Sequence, residues 1–360
     1  MFCVYDVYTF DININIILNT SVTYYVARPL NIGIIGFGRF GQFIAKSFAK
    51  YGNVIGTSRT DYTEIANEIG VSYIPLSNLE SFVVEEDLDV IVIAVSIVSF
   101  EQTVQDLVPH LQKRMEVKGV DSCPLIVDVA SVKEHPRQIL LDNLPIECDI
   151  CCTHPMFGPD SAKDGWQGQT FVYEKTRINK VVKDPIGELS NKLMDELIGN
   201  NNEEEEEPCN TPEEEGQEET VFFDSCKSVD ISDEYVDGVD RIERFLSIWE
   251  EEGCKMIPMS CHDHDAYSAD SQFITHLMGR ILGAQGLEPT PIDTKGFQSV
   301  IKLIETTNAD SFDLFYGLYK YNRNSGYTIG RLRGALDDVV GELLTRDGVV
   351  GVFDNRRKTE

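Results

Sequence analysis

No run of apolar residues approaches the roughly 18 needed to cross a bilayer, so a membrane-spanning helix is not expected. Basic residues are scarce, with 31 Lys and Arg against 60 Asp and Glu and a net charge of −29. Such a balance argues against nucleic acid or an anionic membrane as partners. The nine cysteines cannot all pair, and Cys148, Cys151 and Cys152 lie in apolar, strand-like text. Buried thiols in a reducing compartment are expected rather than a disulfide framework. Residues 1–29 have neither the basic n-region and compact apolar core of a secretory signal nor the Arg- and Ser-rich character of a transit peptide. They are read as an N-terminal extension of unknown role. Metal ligands are also thin. Cys148, Cys151, Cys152 and His154 are close in sequence, but adjacent strand residues point to opposite faces. Cys261-His262-Asp263-His264-Asp265 reads as a surface loop or helix start. No metal site is expected.

What is present is organised around Leu30–Gly41, LNIGIIGFGRFG. The β-branched run Ile32, Ile34, Ile35 leads into Gly36-Phe37-Gly38-Arg39-Phe40-Gly41, and a helical pattern follows. Strand, glycine turn, helix is the order of a dinucleotide site. The first glycine permits the tight turn, the second lets backbone approach a pyrophosphate, and the third lets helix pack on strand.

At 360 residues with 42% apolar content, the chain can hold two domains with a sizeable core. Strand and helix signals alternate after the glycine turn. Asn53–Arg59 is the second strand, Asp61–Gly70 a short helix with Asp61 as N-cap, and Val71–Ile74 a brief third strand. Leu88–Ser96 is a continuous apolar run, as in a strand buried on both faces. Phe100–Met115 reads as helix, Leu125–Ser131 as strand and Lys133–Leu144 as helix with Pro136 in its first turn. Asp149–Thr153 is a further strand, ending at His154. The expected fold is α/β, a Rossmann doubly wound parallel sheet, whose ligands lie beyond the carboxyl ends of its strands.

Two strand ends carry chemistry. The second strand ends in Thr57-Ser58-Arg59-Thr60, where an NAD-specific site would place an acid. Arg59 can hold a 2′-phosphate with charge-assisted bonds, and Ser58 and Thr60 can donate, so NADP is favoured over NAD. Surface Arg with polar neighbours is the plainer alternative. Ser96, ending the fourth strand, completes the cofactor set. The ends at Ser131 and His154 should open near the nicotinamide. A histidine there is a natural acceptor for a hydroxyl proton, and a structural histidine bonded to backbone is the alternative.

Past Tyr173 the pattern breaks. Between Asp195 and Asp240 there are 18 acidic residues and one basic residue, Lys227, so −17 of the net charge sits there. High charge and few aromatics mark residues 177–239 as a solvated, disordered insertion with a candidate helix at Ile186–Ile198. Residues 240–260 resume with an amphipathic helix (Ile242, Phe245, Leu246, Ile248, Trp249) and a strand, completing the Rossmann domain of 30–176. From 261 to 346 the text is helical, over Asp265–Gln285, Gln298–Thr306, Ser311–Tyr321 and Gly330–Leu344. Residues 347–360 read as a tail.

Long stretches in order resemble a known family: GFGRFGQFIAKSFAKYG, SRTDY, DVASVKEHPR, CTHPMFGPDSAKDGW, FVYEKTRI, GCKMIPMSCHDHDAYSADSQFITHLMGRIL, TPIDTKGF and ETTNADSFDLFYGLYKYN. They are similar to the plant-type arogenate dehydrogenases of the prephenate/arogenate dehydrogenase family. The resemblance covers Leu30 to about Leu344 apart from the acidic insertion. It implies NADP-dependent oxidative decarboxylation of arogenate to tyrosine. His154 matches the family's catalytic histidine, drawing the proton from the C4 hydroxyl as hydride leaves. Ser131 matches the family's strand-end serine, which bonds that hydroxyl and positions His154. Gln298 and Lys302 stand where bacterial relatives carry a basic pair. Arg280, Lys295 and Lys302 are candidates for the substrate carboxylates, with Gln272 and Thr290 as polar partners. Glu305, and Asp265 second, are candidates for the ammonium of arogenate. The resemblance further implies a homodimer built through the helical domain and, from plant relatives, a plastid location; the N-terminus as read points to the cytoplasm. Prephenate dehydrogenase, a β-hydroxyacid dehydrogenase and an NADP-binding sensor with a degenerate site are the competing readings.

Overall fold

The computed structural model describes residues 28–179 and 238–346. The extension before Arg28, the body of the acidic insertion with its candidate helix, and the tail from Asp347 lie outside the described residues.

Eight strands form one sheet in the order β3-β2-β1-β4-β5-β6-β7-β8. They are β1 (Leu30–Ile35), β2 (Gly52–Thr57), β3 (Ser72–Tyr73), β4 (Val90–Ile93), β5 (Leu125–Asp128), β6 (Ile150–Pro155), β7 (Thr170–Arg177) and β8 (Lys255–Pro258). The strand order reverses between β1 and β4, the switch point where such sheets bind ligands. From β3 to β6 all pairings are parallel, and each connection but β3–β4, which carries only short irregular turns of helix, carries an α-helix: α1 (Arg39–Phe48), α2 (Thr63–Ile69), α3 (Ile97–Lys118) and α4 (Glu134–Asn143). The sheet is mostly parallel, as expected of a doubly wound fold, with one departure at β7. β7 runs antiparallel to β6, because no crossover helix connects them, and β8 then runs parallel to β7.

The continuous apolar runs are explained by burial on both faces. Ile32, Ile34, Val90, Val92, Leu125, Val127 and Cys151 face one layer, with α1 and α5 (Gly238–Glu251) above them. Ile91, Ile93, Ile126, Ile150 and Cys152 face the other, against α3 and α4. Adjacent Cys151 and Cys152 thus sit on opposite faces, as strand geometry requires. The first layer is aromatic. Trp249 from α5 stacks on Trp166 at 4.6 Å and on Phe171 at 4.2 Å, and Phe48 from α1 meets its edge at 5.4 Å. Each such side chain contributes about 1.5–3 kcal/mol through apolar burial, so α5 belongs to the sheet despite the long excursion before it.

Two smaller expectations also change. Asp61 lies one residue ahead of the α2 cap, where its Oδ1 accepts from Thr63 N at 2.9 Å. Cys123 and Cys148 form a disulfide, with Cα atoms 5.6 Å apart. They enter neighbouring strands on the same face, a proximity that a sequence separation of 25 does not reveal. The other described cysteines, Cys151, Cys152, Cys254 and Cys261, are free and buried.

The C-terminal part is helical. It comprises α6 (Cys261–Ser268), a widened turn (Ala269–Phe273), α7 (Ile274–Gly283), α8 (Lys295–Ala309), α9 (Phe312–Lys320) and α10 (Ser325–Arg346). It joins the sheet layer through a small core of Val132, Phe273 and Leu318 with Ile97 and Phe315. Asp270 in the widened turn fastens α10, accepting from Thr328 Oγ1 at 2.8 Å and Arg331 Nη1 at 2.7 Å.

Candidate active site

The glycine turn follows β1 directly. Gly36 has φ +102°, a conformation favoured by glycine, and its N–H donates to Thr57 O at 2.8 Å. A Cβ on Gly41 would lie 2.2 Å from Gly36 O, so only glycine lets α1 start this close to the turn. A Cβ on Gly38 would meet nothing within 4 Å, leaving open space above the turn. Helix α1 begins there with no acidic residue in its first turn and no side-chain cap. Its free N–H groups and dipole suit an anion. Nearby, Thr57 Oγ1 is sealed from solvent and has no hydrogen-bond partner among the described residues. The cradle therefore fits a dinucleotide pyrophosphate.

The flanking side chains divide by role. Phe37 is fully buried against Tyr62 and Tyr73, so its ring belongs to the core and only its backbone lies in the turn. Phe40 is partly buried, 6.0 Å from Phe43 between ring centroids, and Arg39 is exposed and pairs with Asp160 at 3.1 Å. After β2, Ser58 Oγ donates to Thr60 O at 2.7 Å, and Tyr73 Oη donates to the same carbonyl at 2.7 Å. Arg59 stands exposed on this fastened loop with no ion pair among the described residues. Ser96 caps α3, with Val98 N donating to its Oγ at 3.4 Å.

The ends of β5 and β6 are welded by a buried ion pair. Lys133, 1% exposed, donates its Nζ to Asp128 Oδ1 and to Thr153 O. Asp128 also accepts from Ala130 N at 3.0 Å, which shapes the turn carrying Ser131. His154 lies next to Thr153, buried, at the carboxyl end of β6. Burial foremost, then the neighbouring His264 and Lys133, hold its pKa well below the ordinary histidine range.

The hydrogen-bond partner of His154 is His264. His154 Nδ1 lies 2.8 Å from His264 Nε2, and His264 Nδ1 lies 2.8 Å from Asp265 Oδ1. The Asp265 carboxylate also caps α4, accepting from Lys133 N at 2.8 Å and Glu134 N at 2.9 Å. Ser131 Oγ makes no hydrogen bond among the described residues, and the side chain that meets His154 is His264. Asp265, the second candidate for the substrate ammonium, is fully buried in this network. Sequence reasoning passed over His264, although a signal was there. Cys261, His264, Asp265 and Ser268 are the buried residues of α6, at the i, i+3, i+4, i+7 spacing of a single inward face.

The substrate candidates lie in the helical part, and none is bonded to His154 among the described residues. Thr290 bonds Asp293, and Lys295, Gln298, Lys302 and Glu305 are exposed on α8, whose extensive packing is all with α7. Gln272 accepts from Ser268 Oγ at 3.1 Å. Arg280 is engaged structurally: its Nη2 donates to Asp310 O at 2.8 Å, and its guanidinium lies 5.1 Å from the Phe315 ring centre. Among the described residues no group of three or more His, Cys, Asp or Glu side chains could hold a metal ion.

Comparisons with known proteins bear on the family and the fold. The family described as NADP oxidoreductase coenzyme F420-dependent matches residues 31–117, and the TYRAAT1-like C-terminal domain family matches residues 281–351. Arogenate dehydrogenase 2, chloroplastic, of Arabidopsis thaliana is 37% identical over 324 residues, covering 90% of this chain and 72% of that protein. Arogenate dehydrogenase 1, chloroplastic, of the same plant is 40% identical over 318 residues; the chain spans 40% of its length. Among solved structures, prephenate dehydrogenase from A. aeolicus in complex with hydroxyphenyl propionate and NAD+ superposes with a TM-score of 0.55 at 15% identity. It covers 89% of this chain and 92% of that one, which establishes a shared fold.

Proposed function

The chain belongs to the arogenate dehydrogenase family, and from that premise we propose that it catalyses the NADP-dependent oxidative decarboxylation of arogenate to tyrosine. The nicotinamide, when bound, supplies the hydride acceptor. His154 Nε2 takes the proton of the C4 hydroxyl as hydride leaves C4, and Ser131 offers its Oγ to the same hydroxyl. With C4 a carbonyl, the C1 carboxylate departs as CO2 and its electron pair aromatises the ring. His154 then returns the proton to the phenolate oxygen, so the balance needs no other co-reactant. The protein supplies geometry and one proton acceptor.

The observation that carries this reading is His154: buried, held unprotonated, and with no protein partner on Nε2 among the described residues. The Gly36–Gly41 turn would hold the pyrophosphate. Arg59, with Ser58 and Thr60, would take the 2′-phosphate. A second copy would close over the helical domain, where Phe312, Tyr316, Leu336, Val339 and Leu343 stand exposed. Lys295, Lys302 and Glu305 would complete the substrate pocket there; a monomer by analytical ultracentrifugation would remove this part. Both plant relatives are named chloroplastic, which supports a plastid location. No described helix is long and apolar enough to cross a membrane.

The test is NADPH formation by the purified chain offered arogenate or prephenate with NADP or NAD. Arogenate with NADP is expected to dominate. Faster turnover of prephenate would overturn the substrate, and no turnover with either would overturn the reaction. In the same assay Arg59→Ala should raise KM for NADP on the order of 10–100-fold, the loss of a hydrogen bond to a charged group. KM for NAD should stay unchanged; an equal change in both would dismiss Arg59 as the phosphate partner.

A further inference from the structure

The histidine pair beside the base has a directionality that its partners dictate. Both oxygens of Asp265 already take backbone N–H groups, from Lys133 and Glu134. An ionised carboxylate can only accept, so His264 must present Nδ1 as N–H toward Asp265 Oδ1. A neutral His264 then has a bare Nε2. That nitrogen can only accept, so His154 must present Nδ1 as N–H. The proton inventory of a neutral imidazole leaves His154 Nε2 unprotonated.

From this chain the geometry points to His264 and Asp265 as positioning residues for the reaction: together they hold His154 in the one tautomer whose Nε2 can accept the substrate proton. The inference rests on the reading of His154 as the base. Three features adapt the device to that task. Asp265 is anchored at the start of α4, and its main-chain carbonyl accepts from Asn322 Nδ2 at 2.7 Å, so it cannot swing away. His264 is 3% exposed, so water does not compete for either of its nitrogens. Behind His154, the Lys133 ammonium binds Thr153 O and Asp128 Oδ1, which fixes the strand end that carries the imidazole. His154 and His264 are 110 residues apart and belong to the sheet and the helical part respectively. The base is therefore functional only when these two parts are docked.

Two measurements test this. The first is nitrogen-15 NMR of the histidine-labelled wild-type chain, whose six histidines can be assigned by single substitution. Both His154 and His264 should show a protonated Nδ1 and a bare Nε2, with or without activity. A protonated Nε2 on His154 overturns the proposal. The second is kinetic. Asp265→Asn can turn its amide N–H toward His264 Nδ1, which reverses both tautomers and protonates His154 Nε2. The equivalent change in a serine-protease triad costs about 10⁴ in kcat for this reason. A fall of about 10²–10⁴-fold in kcat is expected here, with the Kd for NADP within a few-fold of wild type. His264→Ala should lose about 10²-fold or more. His264→Gln, whose amide oxygen can still accept from His154 Nδ1, should recover most of that loss. Unchanged kcat in Asp265→Asn, or equal losses in the Ala and Gln variants, overturns the assignment. If the wild type turns over neither substrate, the proposed reaction fails while the NMR result still decides the tautomer.

Discussion

His154→Asn lowers kcat by about 10²–10⁴-fold, the span expected for loss of a general base, and leaves the Kd for NADP near wild type. The pyrophosphate cradle lies at β1 and α1, whereas His154 is on β6, so binding and chemistry separate in this variant. Single-turnover NADPH formation and a fluorescence titration of cofactor measure the two effects. Parallel losses in both would mean that His154 supports the fold and not the reaction. The pH profile follows from the same burial. With its pKa held well below the ordinary range, His154 remains a base as pH falls through about 6.5, so kcat/KM stays level there and declines only at lower pH. Between its depressed native value and about 6.5, the unfolded chain binds a proton that the native chain refuses. Its contribution to stability is thus complete above about pH 6.5 and is lost as pH falls. Unfolding of wild type and His154→Asn across that range should show a shallower acid slope in the variant.

Lys133→Met destabilises the fold by about 3–5 kcal/mol, because it strands the Asp128 carboxylate in the sheet. Both side chains are essentially inaccessible, and Asp128 Oδ2 has no hydrogen-bond partner among the described residues. Burial opposes the charge on Lys133, yet Asp128 overcomes it and the net pKa lies above the ordinary lysine value. This ion-pair contribution is therefore whole at neutral pH and fades only as pH rises past the usual lysine range. Adding Asp128→Asn, whose amide oxygen can still take the Ala130 N–H, should recover most of the loss. Denaturant unfolding reads both steps. A single variant as stable as wild type would mean that water reaches Asp128.

The parts of this molecule that were legible in the sequence are those whose physics is local. Ile32 to Gly41 encode strand, turn and helix within a dozen residues, because Gly36 must adopt positive φ and Gly41 must admit the helix. The unbroken apolar text of β4 and β5 follows from burial on both faces, and the inward stripe of α5 from its helical period. The strand ending at His154 was legible too, but not what holds its imidazole.

That was decided by tertiary structure. The contacts of His154 with His264 and of Asp265 with Lys133 span 110 and 132 residues, and no local propensity encodes such meetings. The same holds for the Cys123–Cys148 disulfide and the antiparallel return of β7. The packing sets Arg280 against backbone carbonyls and the Phe315 ring and Asp265 under α4, partners that no local sequence names. A charge in a sequence announces that it needs a partner. Which partner it receives depends on which elements dock, and docking is settled by the apolar faces of the whole chain burying together.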